Sequence, residues 1–265
     1  MDTYTHGHQD AVLRSHRWRT AANSAAYLLP HLRPGIDLLD VGCGPGTLTV
    51  DLARHVDPGR VVGIDVVADV VAEATGVASE AGAANVTLLT GDFRTAGLED
   101  AGFDVVHAHQ VLQHLSDPVG ALATFRRLVR PGGIVAARDG DYSAMAWYPE
   151  SPLVDRWLEV YLAVTRANAA EANAGRHLLA WAHQAGLADV AFTTSTWTYA
   201  DPATCGWWGE LWAERTVASS FASQAVDYGI ATDDELVAIA AGWREWSHQP
   251  DAVFIVPHGE IVARV

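Results

Sequence analysis

Lysine is absent from this chain. All 17 basic residues are arginine, against 32 acids, and the formal net charge is −15. Without lysine there is no Schiff-base amine, which removes most pyridoxal-phosphate chemistry. A phosphate-binding lysine of the Walker type is missing for the same reason. The acidic balance leaves no basic patch for nucleic acid or an anionic membrane, whose affinity rests on neutralising phosphates. Cysteine is scarce too: Cys43 and Cys205 are too few and too far apart for a disulfide framework or a cysteine zinc site. No uncharged apolar run reaches the ~18 residues of a membrane helix, and Met1–His6 has no apolar signal core. These absences predict a soluble, cytoplasmic protein with neither nucleic acid nor membrane as partner. What is present is a substantial apolar fraction, 49% of 265 residues, with only 18% charged. That suits one α/β domain with an insertion or small cap, and argues against disorder.

Residues 10–30 read as one helix, with Val12, Trp18, Ala22, Ala25 and Leu28–Leu29 roughly on one stripe. Short apolar runs then alternate with helical patterns: strands at 36–41, 61–64, 86–90, 103–109 and 134–138, helices at 47–55, 67–81 and 118–129. Continuous apolar runs mark strands buried on both faces, so the pattern predicts a doubly wound, mostly parallel sheet. After Asp141 the character changes, and nine of the ten tryptophans lie beyond residue 145. Residues 152–172 and 175–185 read as helices, 190–199 as a strand, and 202–247 as two or three more helices. Residues 252–265 read as two short β runs around Pro257-His258-Gly259. The chain thus divides into a core of about 31–141 with 186–200 and 250–265, and a helical cap from 1–30 and parts of 145–249, together one domain over 1–265.

The most informative segment is Leu39-Asp40-Val41-Gly42-Cys43-Gly44-Pro45-Gly46. A strand ends in an acid, glycines follow at spacing two, and a helix begins. Bare backbone there lets the chain turn sharply and a ligand approach closely, in the crevice beyond the carboxyl ends of parallel strands. A dinucleotide fold would require G-x-G-x-x-G to seat a pyrophosphate. Here the third glycine comes one residue early, and Asp40 would repel that anion. Two more acids end the next strands: Asp65, able to accept both hydroxyls of a ribose, and Asp92, able to take an amino hydrogen of a base whose face Phe93 covers. One strand-end aspartate is ordinary turn chemistry; three in register point to a ligand.

In these residues, with Gly63-Ile64-Asp65, Gly91-Asp92-Phe93, Phe103–Val106 running into Val111–Pro118, and Arg130-Pro131-Gly132-Gly133, the chain resembles class I S-adenosylmethionine-dependent methyltransferases. Within that class it is similar to the ubiquinone/menaquinone-biosynthesis type and its small-molecule relatives. The resemblance covers about 35–140. It implies a seven-stranded sheet with its last strand antiparallel, and S-adenosyl-L-methionine as cofactor. It also implies that Asp40 and the loop of Gly42, Gly44 and Gly46 hold the methionine part, Asp65 and Val66 the ribose and adenine edge, and Asp92 and Phe93 the adenine. His109 and Gln110 would lie near the sulfonium.

Methyl transfer from a sulfonium needs mainly alignment; a base is required only for a hydroxyl, phenol or acidic carbon. His109, His8, Asp139 and Asp141 are the candidates. The pairs His6/His8 and His107/His109 invite a metal reading, but no acid or cysteine clusters beside either in sequence, so no metal is assigned. Trp147-Tyr148-Pro149 and Trp207-Trp208 are expected where cap meets crevice, and aromatic walls favour a flat or apolar acceptor. The function expected is methylation of a small hydrophobic or aromatic metabolite by a monomer or homodimer. The alternatives are a cofactor-binding enzyme of this fold catalysing cyclisation or rearrangement, and a non-catalytic binding protein.

Overall fold

The computed structural model describes Thr5 and residues 10–265. The first surprise is in the leading helix, which is not continuous. Helix α1 (Asp10–Arg17) stops, and α2 (Ala21–Ser24) starts afresh. Thr20 is the cause: its hydroxyl accepts the Asn23 N–H while Asn23 Oδ1 accepts the Thr20 N–H, a reciprocal cap that competes with helix continuation. The break swings Trp18 and Arg19 out of a regular helical path.

The expected alternation then follows: β1 (Leu38–Val41), α3 (Thr47–Val56), β2 (Val61–Asp65), α4 (Ala68–Glu80), β3 (Val86–Thr90), β4 (Phe103–His109), α5 (Pro118–Leu128) and β5 (Val129–Gly140). Beyond it come β6 (Ala146–Tyr148), α6 (Pro152–Ala167), α7 (Ala174–Gln184), β7 (Asp189–Tyr199), α8 (Pro202–Ala218), α9 (Ser220–Asp227), α10 (Asp233–Ser247) and β8 (Val253–Arg264). The strand order is β3-β2-β1-β4-β5-β8, with β7 on the outer edge of β8. Strands β1 to β5 are parallel, and β8 is antiparallel to both neighbours. The short β6 pairs with β8 at Val253–Ile255, beyond the stretch that pairs with β5, so it prolongs the row of β5. The architecture is therefore the doubly wound, mostly parallel seven-stranded α/β sheet with an antiparallel last strand. No helix among the described residues is long and apolar enough to cross a membrane.

The two short runs expected around Pro257 are one twelve-residue strand. Proline usually interrupts a ladder because it has no N–H. Here Pro257 falls in the gap between the β5-paired and β6-paired stretches, and its carbonyl on that side accepts the Asp141 N–H at 3.0 Å. The missing donor costs no ladder bond.

One face of the sheet packs Leu39, Val62, Val106 and Val135 against α5 and α7; the other packs Leu38, Val61 and Val105 against Leu28, Leu52 and Val56. A third cluster joins α6 and α8–α10 to the far part of β7 and β8 through Trp157, Trp208, Trp212, Trp243 and Phe254. Each such large side chain contributes about 1.5–3 kcal/mol by leaving water. Most of the late tryptophans are thus cap core. Trp147 stacks flat on Phe254 at 5.5 Å, and Trp208 on Tyr199 at 4.5 Å. Neither lines the crevice, contrary to the expectation for those two positions.

Candidate active site

A cavity of about 320 Å³ runs across the carboxyl ends of β3, β2, β1 and β4. From the β3 end it meets Asp92 and Phe93, then Asp65 and Val66, then Asp40 and the loop Gly42–Pro45, and finally His109 and Gln110. His16, Arg19, Arg94 and His114 complete the wall. The segment after Arg14 closes it from above: Thr47 Oγ1 donates to the His16 carbonyl, and Arg17 pairs with Glu73 on α4 at 2.6 Å.

Gly44 has a left-handed φ of +54°, and a Cβ built there would meet only His16 Nδ1 at 3.7 Å, so the missing side chain is open cavity. Gly42 also lines the cavity. Gly46 does not, which corrects its assignment to the cofactor. It starts α3 in a left-handed conformation, and a Cβ would strike Ala74 Cβ at 2.8 Å, so it is needed for packing of α3 on α4.

Asp40 is buried, and both its oxygens already have donors: His107 Nδ1 at 2.8 Å and Thr49 Oγ1 at 2.6 Å. His107, one half of a His-x-His pair, is therefore turned to Asp40. Asp65 accepts the N–H groups of Gly44 and Val67, both at 3.1 Å, and ends β2 at the cavity wall. Val66 stands at the rim, 56% exposed. Asp92 holds Arg94 Nε with both oxygens at 2.9 and 3.1 Å, and Phe93 lies buried against Phe125 with ring centroids 5.2 Å apart. Cys43 is no nucleophile, since burial beside Asp40 and Asp65 pushes its thiol well up.

At the β4 end, His109 is 4% exposed and neither ring nitrogen has a hydrogen-bond partner among the described residues. Burial, and then the charges of Arg19 and Arg138, holds its imidazole well below the ordinary histidine range, so it is neutral at pH 7. The Trp197 ring is 5.7 Å from it and the His258 ring 6.4 Å. Gln110 has a left-handed φ of 54°, uncommon for a non-glycine residue and a mark of sites where local strain is tolerated. Its Oε1 accepts from Arg19 Nη2 at 2.5 Å and its Nε2 faces His258 Nε2 at 2.9 Å. Arg19, His16, His114 and His258 were not singled out as site residues by the sequence. Nothing local marks the first two, because only the fold brings Arg19 to Gln110 at the end of β4 and His16 over the glycine loop.

Two acids expected near the transfer point are elsewhere. Asp141 is bound by both Nε and Nη2 of Arg176 at 2.6 and 2.5 Å and does not reach the cavity. Asp139 is fully buried; its Oδ1 accepts the Gln113 N–H at 3.1 Å, and burial raises its pKa to about 7. The physical reason is the alternation of a strand. Arg138 pairs in register with His109 and shares its face, so Asp139 and Asp141 point to the opposite one, toward α5 and α7. His8, like His6, lies outside the described residues.

Strand-end carboxylates, exposed loop backbone and the apolar wall of Ile64, Val70, Phe93 and Leu115 fit a nucleoside joined to an amino-acid tail. The sequence profile described as a methyltransferase domain matches residues 32–197. An uncharacterized methyltransferase of Schizosaccharomyces pombe is 30% identical, covering 98% of this chain and 95% of its own. Nocamycin O-methyltransferase of Saccharothrix syringae is 39% identical over 38% of this chain and 36% of that protein. In fold, the chain is similar to a Haemonchus contortus ethanolamine-phosphate N-methyltransferase solved with S-adenosylhomocysteine, with a TM-score of 0.59, 16% identity, and coverage of 97% of this chain and 58% of that one. The chain belongs to the S-adenosylmethionine-dependent methyltransferases of class I, and S-adenosylmethionine is its cofactor.

Proposed function

We propose that the protein, acting as one unit over 1–265, methylates a small hydrophobic or aromatic metabolite and that His109 takes the acceptor's proton. The observation that carries this is the neutral ring of His109, buried on the cavity wall with both nitrogens unpaired and an indole beside it. A base must be neutral to act, and a buried polar ring without partners is costly unless a ligand satisfies it. Asp40, Gly42, Gly44, Asp65, Val66, Asp92 and Phe93 are the residues we assign to the cofactor, and Gln110 lines the acceptor end, with Trp197 packed beside His109. When bound, the cofactor supplies a methyl group on a good leaving group. The chain's task is then to align the acceptor, exclude water and receive a proton at one His109 nitrogen. The name of the nocamycin relative, an O-methyltransferase, supports an oxygen acceptor.

The test is formation of S-adenosylhomocysteine with a panel of phenols and hydroxylated aromatic compounds. With an acceptor in hand, His109→Ala should lower turnover by about 10²–10⁴ while cofactor affinity stays the same. His109→Gln keeps a hydrogen-bonding tip without the base: recovery assigns positioning, and no recovery assigns proton transfer. Wild-type turnover by both variants would remove His109 from the chemistry.

A further inference from the structure

His107 is fully buried, two residues before the proposed base, and the reaction as described makes no use of it. We infer that His107 is a positioning residue for the cofactor: through its hydrogen bond to Asp40 it fixes the carboxyl end of β1 and the loop that follows. This rests on the assignment of Asp40 to the cofactor made above.

Asp40 and His107 are register partners in the parallel pair β1/β4, so their side chains stand next to each other on one face. Leu38, Val105 and Ala136 occupy the neighbouring positions of that face, while Thr49 from α3 and, further along the strands, His109 and Arg138 are its polar members. A carboxylate only accepts, so His107 Nδ1 donates, at 2.8 Å, and Thr49 Oγ1 donates to the other oxygen at 2.6 Å. Two fixed donors on different elements, β4 and α3, leave the carboxylate one orientation. Each oxygen keeps a lone pair, and Asp40 lines the cavity, so the acid stays able to receive a ligand donor while its rotamer is set. Gly42 begins two residues later, and a built Cβ there would lie 2.4 Å from Val111 Cγ2, just past the end of β4. The β1–β4 spacing at this height is therefore tight on both sides of the strand end. An apolar pair of similar volume would pack this layer at no desolvation cost. A buried polar trio at the cavity floor makes sense if its geometry is used by the ligand.

The experiment measures calorimetric affinity for S-adenosylhomocysteine, which involves no turnover, alongside melting temperature. His107→Leu removes the donor and should weaken binding by about tenfold or more, as a charge-assisted buried hydrogen bond is lost. His107→Asn, whose amide places a donor near the original Nδ1, should return affinity to within a few-fold of wild type. With saturating cofactor and an acceptor, His107→Leu should keep its kcat, the opposite pattern to His109→Ala. The double variant His107→Leu/Asp40→Asn should lose no more than Asp40→Asn alone, because His107 acts through that acid. Unchanged binding in His107→Leu, equal losses in Leu and Asn variants, or additive losses in the double variant would each overturn the inference. If His107→Leu fails to fold, the Asn variant and its cycle with Asp40→Asn decide in its place. No binding of S-adenosylhomocysteine by the wild type would instead sink the cofactor assignment itself, and this inference with it.

Discussion

At the β1–β3 end of the cavity the carboxylates Asp40, Asp65 and Asp92 come from strand ends or the turns just past them, with the loop backbone between them and Arg94 and His16 completing the wall. At the β4 end the imidazole of His109 is surrounded by Arg19 from the segment between α1 and α2, Trp197 from β7 and His258 from β8, with Gln110 bridging Arg19 and His258. The first end carries three carboxylates and is made mostly of local motifs. The second carries imidazoles and guanidinium and is assembled from distant parts of the chain. The contrast teaches that a ligand shared by many relatives can be bound by short, transferable sequence, whereas an acceptor must be met by whatever the later elements bring over β4.

The contrast can be broken most severely at the loop. Gly44→Val should lower cofactor affinity by more than ~100-fold, because a β-branched side chain is strained at φ +54° and fills open cavity. Calorimetry should show this with the melting transition still cooperative; normal binding would mean that the loop does not touch the ligand. Next comes Asp65→Ala, which should cost about 2–4 kcal/mol of cofactor affinity if the acid accepts ribose hydroxyls. An unchanged affinity in the folded variant would take Asp65 out of the site.

The β4 end is sharpened by pH. Because burial and the charges of Arg19 and Arg138 lower the His109 pKa, the proposed base stays neutral as pH falls through the ordinary histidine range. The turnover profile of the wild type should therefore be flat through pH 6.5 and decline only in more acidic solution. A decline centred on 6.5 would indicate a solvated histidine or another group. The smallest effect is on stability alone. Asp139 has a folded-state pKa of about 7, above that of the unfolded chain, so the folded state binds more protons between the two values. Stability should fall as pH rises from the carboxylate range to about 7 and level off above it. Asp139→Asn should flatten that slope in melting temperatures and leave turnover intact; a loss of turnover would return Asp139 to the chemistry.

Several of these features could be read without coordinates. Glycines at spacing two between an apolar run and a helix, and acids ending three successive runs, locate the strand-to-helix crossovers and the crevice. Side-chain period and turn chemistry act within a few residues, so Asp65, Asp92 and Phe93 are visible as a group. The break at Thr20 was also written locally, as Thr20 followed by Asn23, but was hidden by an apolar stripe that ran through it. Other choices belonged to tertiary structure. Asp139 on β5 and Asp141 just past its end sit at the right height, yet the alternation of extended chain turns them toward α7, where Arg176 waits for one of them. Gly46 resembles its neighbours in sequence, and only the approach of Ala74 shows that it serves packing. The sequence by itself determined the parallel core and the acidic end of the cavity, because short-range periodicity and backbone freedom suffice for them. Only the tertiary structure decided which tryptophan faces His109, which acids turn away from it, and that Arg19 and His258 meet across Gln110. Those contacts depend on how three packed layers settle against one another, which no local stretch of sequence encodes.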